Sequence, residues 1–226
     1  VLALSGGPDS SAMLEWALDQ GIDVRPINFH QGLDHSDAEL EAAKEVANEH
    51  DLSVETFDVS ETVSMLGGDS IMIHSEAHNL RFGSAILLSI SVCHAVQQNI
   101  PHVLVATHAE DAEESLEYSP QFHEPMQEAI EVATSGEADL PEAEAVQIHA
   151  PFSAMPKSAV IELGTELGVP FEDTWSCIVG TNVQCGGCGA CSARQRAFKE
   201  VGVVDPTTYE VANTISGPNS SVASDD

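Results

Sequence analysis

Val1-Leu2-Ala3-Leu4-Ser5-Gly6-Gly7-Pro8-Asp9-Ser10 opens the chain. The apolar run at its start reads as a buried strand, and a helix is predicted to begin near Asp9, so the backbone must turn sharply between them. Gly6 and Gly7 allow N–H groups in such a turn to approach an anion closely. Ser5 and Ser10 add hydroxyl donors, and the helix N-terminus adds its positive dipole end. The stretch therefore reads as a cradle for nucleotide phosphate, with Leu4, Ser5, Gly6, Gly7, Asp9 and Ser10 as candidate binding residues. Gly-x-x-x-x-Gly-Lys-Ser/Thr occurs nowhere in the chain, so this is not the common triphosphate loop.

Working outward, strands and helices alternate. Strands are predicted over 1–4, 23–29, 53–59, 102–107 and 145–151, and helices over 9–20, 36–50, 80–98, 122–133 and 157–167. Such alternation implies a doubly wound α/β fold on a parallel sheet. Gly21 is a stop for the first helix, and Ser36 with Glu39 makes a capping box for the second. Residues 67–70, Gly-Gly-Asp-Ser, follow no strand and read as a loop; residues 135–144 read as an acidic surface loop and 216–226 as a disordered tail.

The charge balance excludes one class of partner. Seven Lys and Arg face 37 Asp and Glu, a formal net charge of −30 spread over the whole chain of 226 residues. That field repels a polyphosphate backbone and makes a small substrate the natural reading. Dispersed acid of this kind also fits a very salty cytoplasm, where screening suppresses self-repulsion. With 42% hydrophobic residues the chain can bury a proper core. Residues 85–96 are too short and too polar to cross a bilayer, and no signal peptide precedes the first strand, so we expect a cytoplasmic protein and no membrane partner. Val1 in place of Met leads us to expect that the true start of the chain lies upstream.

Four of the five Cys lie in Cys177-x7-Cys185-x2-Cys188-x2-Cys191. Two overlapping Cys-x2-Cys steps and a third arm can place four thiolates around a closed, structural zinc. An iron–sulfur cluster is the competing reading for four cysteines. The fifth, Cys93, sits in an apolar helix and reads as a small core residue.

Ser5-Gly6-Gly7-Pro8-Asp9-Ser10 resembles the signature of the ATP pyrophosphatase, or PP-loop, superfamily with its adenine nucleotide alpha hydrolase-like fold. Taken with Thr174-Trp175-Ser176-Cys177, Gln184-Cys185-Gly186-Gly187-Cys188-Gly189-Ala190-Cys191 and Arg194, the chain resembles the 7-cyano-7-deazaguanine synthase family of queuosine and archaeosine biosynthesis. That resemblance implies an ATP-dependent C–N ligase. Such an enzyme would convert 7-carboxy-7-deazaguanine and ammonia to the nitrile by carboxylate activation, amide formation and dehydration. The implied cofactors are ATP, Mg2+ and Zn2+; the implied partners are the small acid and ammonia, with no nucleic acid and room for a homodimer. The expected layout is an ATP-binding domain over 1–170, a zinc-binding segment over 171–215 packed on it, and the tail.

Further residues follow from the same resemblance. Asn28 and His30, in Asn28-Phe29-His30-Gln31-Gly32, correspond to the segment around adenine and substrate. Arg81 and Lys157 open helices and are catalytic candidates beside Asp9, because a triphosphate and a carboxylate both need compensating charge and cations are scarce. Asp9 is read either as a helix cap or as a magnesium ligand. Glu110 and Asp111 follow the fourth strand at the edge where parallel sheets bind ligands. Arg194, Arg196 and Lys199 share one predicted helix and either reach phosphate or pair with surface acid. His74 and His78 fail the metalloprotease spacing and read as loop residues. The chain departs from the family pattern at 78–83 and at Tyr118-Ser119-Pro120. Alternatives are a lysidine-type or thiolation-type tRNA-modifying enzyme, a relative acting on another acid, and a non-catalytic nucleotide-binding module.

Overall fold

In the computed structural model, which describes residues 1–66, 82–134, 145–179 and 182–210, five strands form one sheet. They are β1 (Leu2–Ala3), β2 (Pro26–His30), β3 (Glu55–Asp58), β4 (His102–Leu104) and β5 (Gln147–His149), in the order β3-β2-β1-β4-β5. Every pairing is parallel, with Leu2 opposite both Pro26 and Leu104. The chain winds from β1 toward β3 and then returns to the other side through β4 and β5. The C-terminal end of β1 thus stands at the switch point, where such sheets open a crevice.

Helices cover both faces. They are α1 (Pro8–Asp19), α2 (Ser36–Asn48), α3 (Ser60–Met65), α4 (Gly83–Gln97), α5 (Ala109–Glu114), α6 (Pro120–Thr134), α7 (Lys157–Leu167) and α8 (Gly189–Glu200). One core layer joins α1, α2, α7 and α8 through Met13, Leu14, Val46, Ile161 and Phe198 to Leu2 and Leu4 of the β1 segment. The other joins α4 and α6 through Leu88, Val92 and Ile130 to Ile27 and Val103. Gly164 permits the close approach of α7 to its neighbours: a Cβ there would lie 2.7 Å from the Phe171 ring and 3.3 Å from Ala12.

The doubly wound parallel fold read from the alternation is the one observed, and α8 is the helix predicted after the cysteines. Two short helices, α3 and α5, were not predicted; at six residues each they carry too little periodicity to be read. Gly21 follows α1 with φ of +73°, as the stop reading requires. The capping box does not form: His35 occupies the N-cap, Ser36 Oγ accepts from Leu33 N at 3.0 Å, and Glu39 lines a cavity. Cys93 is exposed on α4, because that helix is apolar nearly all round and only one side meets the sheet. Arg81, His74 and His78, together with the loop readings at 67–70 and 135–144 and the tail at 216–226, lie outside the described residues.

Candidate active site

A cavity of about 340 Å³ opens at the C-terminal end of β1. The phosphate-type turn forms its floor, and the reasons for its residues are distinct. Gly6 takes φ of +83°, and a Cβ on it would lie 2.3 Å from Glu39 O and 2.7 Å from Ala43 N, so this glycine lets the loop sit on α2. Gly7 caps α1 with ordinary extended geometry. Ser10 is buried and serves the turn: its Oγ accepts from Ser5 N at 3.2 Å and donates to Gly7 O at 3.1 Å. Ser5, by contrast, is exposed to the cavity. Asn28 is buried beneath it and donates from Nδ2 to Leu4 O at 3.0 Å, locking the ends of β1 and β2 together.

The charged centre is built from three elements. Lys157 Nζ, at the start of α7, lies 2.5 Å from Asp9 Oδ2 and 3.3 Å from His108 Nε2. His108 Nε2 is also 3.3 Å from Asp111 Oδ1, and Asp111 Oδ2 accepts from His108 N at 2.9 Å. Burial works to raise the Asp9 pKa, but the Lys157 ammonium and His108 outweigh it and hold the carboxyl below the usual range. Burial lifts the Asp111 carboxyl above its usual range, against the pull of His108 and with the repulsion of Asp9 added. Glu110 accepts from Lys157 N at 3.1 and 3.0 Å through its two oxygens, so it caps α7 and fixes where the Lys157 side chain starts.

Seven buried side-chain nitrogen or oxygen atoms lack a hydrogen-bond partner among the described residues, and five of them belong to residues lining this one cavity. They are Asp9 Oδ1, Thr107 Oγ1, His108 Nδ1, His123 Nδ1 and Ser176 Oγ, of which His108 Nδ1 has a close ion-pair contact instead, Glu110 Oε2 at 3.1 Å. Folded proteins pair such groups almost without exception, so their convergence marks a place built for a polar ligand.

The cysteines lie beside the cavity. Their four Sγ atoms all fall within 4.8 Å of one another, and backbone N–H groups of Cys185, Gly187, Cys188 and Cys191 point at the sulfurs from 3.2 to 3.5 Å. Tetrahedral zinc with thiolates at about 2.3 Å requires sulfurs somewhat under 4 Å apart, so the residues fit that ion. Arg194 is fully buried and reaches Asp205, Thr174 and Phe171 O, with its guanidinium 5.3 Å from the Phe198 ring. Of the two readings given for it, reaching phosphate and pairing with surface acid, the structure corrects both: its partner Asp205 is itself largely buried, because Arg194 lies on the inner side of α8 against Phe171 and Thr174. Arg196 lines the cavity from the exposed side of α8.

The structure thus brings Leu4, Ser5, Gly7, Asp9, Ser10, Asn28 and Lys157 to one cavity, with Gly6 packed beneath. His30 is not among its lining residues; it faces Asp37 at 3.1 Å. Glu39, His108, Tyr118 and His123 were not found from the sequence as site residues. For His108 the signal was available, since it stands at the same sheet edge that drew attention to Glu110 and Asp111.

A parallel sheet with a glycine-rich phosphate-type turn at its switch point and a four-cysteine cluster packed alongside defines an α/β protein of the PP-loop class. The solved structure of NMN synthetase from Francisella tularensis shares that fold, with a TM-score of 0.51 over 90% of this chain and 76% of that one, at 16% identity. Residues 1–202 match the family described as Queuosine biosynthesis protein QueC, and the chain belongs to that family. The 7-cyano-7-deazaguanine synthase of Methanospirillum hungatei is 30% identical over 223 residues, covering 92% of this chain and 98% of that protein. That of Archaeoglobus fulgidus is 31% identical over 218 residues, covering 91% and 88%.

Proposed function

We propose that the protein is a 7-cyano-7-deazaguanine synthase, which uses ATP and ammonia to turn the carboxylate of 7-carboxy-7-deazaguanine into a nitrile. The observation that carries this reading is the Asp9–Lys157–His108 constellation set directly against the phosphate-type turn, in a chain whose relatives bear that name. ATP activates the carboxylate oxygen as a leaving group, ammonia displaces it to give the amide, and the amide oxygen is activated in the same way before it departs. Both oxygens leave on the nucleotide product, so no covalent enzyme nucleophile is needed.

The chain's own residues hold and neutralise charge. Ser5 and the first-turn amides of α1 face the phosphates, and Lys157 offsets the charge that builds on oxygen as the leaving group forms. Magnesium suits Asp9 Oδ1, which is buried without a partner, with Asp111 beside it, and would supply Lewis-acid neutralisation of phosphate oxygens. Zinc suits the four cysteines and would hold the C-terminal segment in place without chemistry of its own. The dispersed charge of −30 speaks against a tRNA substrate and for a saline interior. Arg81 is proposed as a further cation for substrate or phosphate, and His30 as an adenine-side residue, on the family resemblance alone.

Mass spectrometry of a reaction with ATP, magnesium, ammonium, 7-carboxy-7-deazaguanine and about 2 M KCl tests the proposal. Nitrile together with AMP is expected. AMP without nitrile assigns another acid, and no nucleotide turnover by the zinc-loaded protein removes the enzyme reading.

A further inference from the structure

Two histidines that take no part in lining the cavity stand together on the last two strands of the sheet. β4 and β5 pair in parallel, with His102 opposite Gln147 and Leu104 opposite His149. Side chains alternate between faces along a strand, so His102, Leu104 and His149 share one face. Leu104 is buried there in the core layer of α1 and α7, whereas both histidines are exposed. Val103 and Ile148, one residue out of step, belong to the opposite core layer, as that alternation requires.

The two rings converge nitrogen to nitrogen. His149 Nε2 lies 3.1 Å from His102 Nδ1, with ring centroids 5.0 Å apart and planes inclined at 64°, so the rings do not stack face to face. A divalent ion about 2.0–2.1 Å from each nitrogen sets two neighbouring ligands roughly 2.9 Å apart at a right angle and roughly 3.4 Å apart at the tetrahedral angle. The observed spacing falls between those limits. Burial, and after it the neighbouring His102, lowers the His149 pKa and holds that ring in the neutral form that ligates a metal. No third histidine, cysteine or carboxylate completes the set among the described residues, and the exposed position leaves the remaining coordination sites to water. An imidazole pair without a carboxylate favours borderline transition ions over magnesium or calcium. The net charge of −30 raises the local concentration of any cation.

We propose that His102 and His149 form a chelating site for a divalent transition-metal ion of the Zn2+, Ni2+ or Cu2+ class, which clips the edge strand β5 to β4. The site is separate from the four cysteines and does not depend on the reaction proposed above. Beyond it the same two strands run on toward His108 and Lys157. Val105 N donates to His149 O and Ala109 N to Met155 O, both at 2.9 Å, so these continuations lie side by side. An ion at the histidine pair braces the base of the two segments that carry the charged centre.

The test titrates Ni2+ calorimetrically into the untagged, zinc-loaded full chain, with KCl and excess Mg2+ present to occupy carboxylates. Wild type, His102→Ala, His149→Ala and the double variant are compared; both side chains are exposed, so the fold should survive their removal. The wild type should bind a single tight nickel ion per chain. Each single variant should bind it about ten-fold more weakly or worse, and the double variant should be little worse than either, because a chelate is lost with its first arm. In a readout that needs no variant, Ni2+ should broaden the signals of two of the ten 15N-labelled histidine rings ahead of the others. Nickel affinity unchanged in both single variants would place the ion elsewhere and overturn the proposal. A wild type without tight nickel binding overturns it too, as do losses that simply add, since those describe two independent rings.

Discussion

The backbone N–H of Trp175 donates to the carbonyl of Gly6 at 2.8 Å, so the segment that leads into the cysteine cluster hangs from the phosphate-type turn. Trp175 Nε1 donates in turn to Cys177 O at 2.7 Å, and the Gln184 side chain holds Ser176 N and Thr174 O. The floor of the cavity and the four cysteines are therefore one mechanical unit, although no cysteine lines the cavity.

Metal removal should be felt at the nucleotide. Stripping zinc with a chelator, or Cys188→Ser, should weaken ATP binding about ten-fold or more and lower the melting temperature by several degrees, since metal binding in such sites is folding free energy. Calorimetric ATP titration of metal-loaded and stripped protein checks this. Unchanged ATP affinity in a stripped, folded protein would show that the Trp175–Gly6 link carries no coupling.

Lys157 and Asp9 should separate stability from catalysis. Lys157→Met leaves the largely buried Asp9 carboxylate without its partner, and Asp9→Asn does the converse, so each single change should destabilise. The double variant should regain part of that stability but not the turnover, which should stay about a hundred-fold or more below wild type. Urea melts and initial rates on the four proteins form the cycle, and strictly additive stabilities would argue against the pair.

Arg194 and Arg196, two residues apart on α8, should behave oppositely. Arg194→Leu strands Asp205 and several carbonyl acceptors in the interior and should cost about 3–5 kcal/mol. Arg196→Ala removes an exposed side chain and should stay within about 0.5 kcal/mol of wild type, with its effect confined to ligand binding. Denaturant midpoints of the two variants give the comparison.

Glu39 should impose a pH slope on stability. Burial pushes its carboxyl up to about 8, so between the ordinary carboxylate range and that value the folded protein holds a proton that the unfolded chain has released. Stability conferred by this group is fully present below the unfolded pKa and falls as pH rises through about 8. His35, 3.8 Å away, acts in the opposite sense over its own range, because burial lowers its pKa and protonation there favours the unfolded chain. Comparing wild type with Glu39→Gln isolates the first effect: the difference should grow from pH 5 to 8 to a few kcal/mol, on the order of 4 at most. Parallel stability profiles for the two proteins would contradict a neutral Glu39.

The scattered acid should make the fold salt-dependent. Raising KCl from about 0.1 to 3 M should raise the melting temperature, because screening removes repulsion among carboxylates that have few cations to meet. A melting temperature indifferent to salt over that range would remove the saline reading.

The phosphate-type turn was legible because its information is local: an apolar strand, two glycines and a helix start within ten residues of one another. The cysteine cluster was legible for the same reason, since its spacing sets its geometry, and the strand and helix alternation settled the parallel sheet. The sequence misled where a local pattern met a tertiary competitor. Ser36 and Glu39 have the spacing of a capping box, but the Leu33 turn takes the serine and the cavity takes the glutamate. Cys93 sits in an apolar helix, but periodicity could not say which side of it the sheet would leave bare.

By itself, then, the sequence determined the elements, their alternation, the nucleotide-type turn and the thiolate set, all of which depend on near neighbours and on backbone preference. The tertiary structure alone decided which charges meet. Asp9 and Lys157 are 148 residues apart, and His108 stands between them in space only because β4 lies beside β1 and α7 packs on α1. In a chain with 37 acidic residues and seven basic ones, many pairings are available on paper, and burial selects among them, because a desolvated charge is tolerated only where packing supplies its partner.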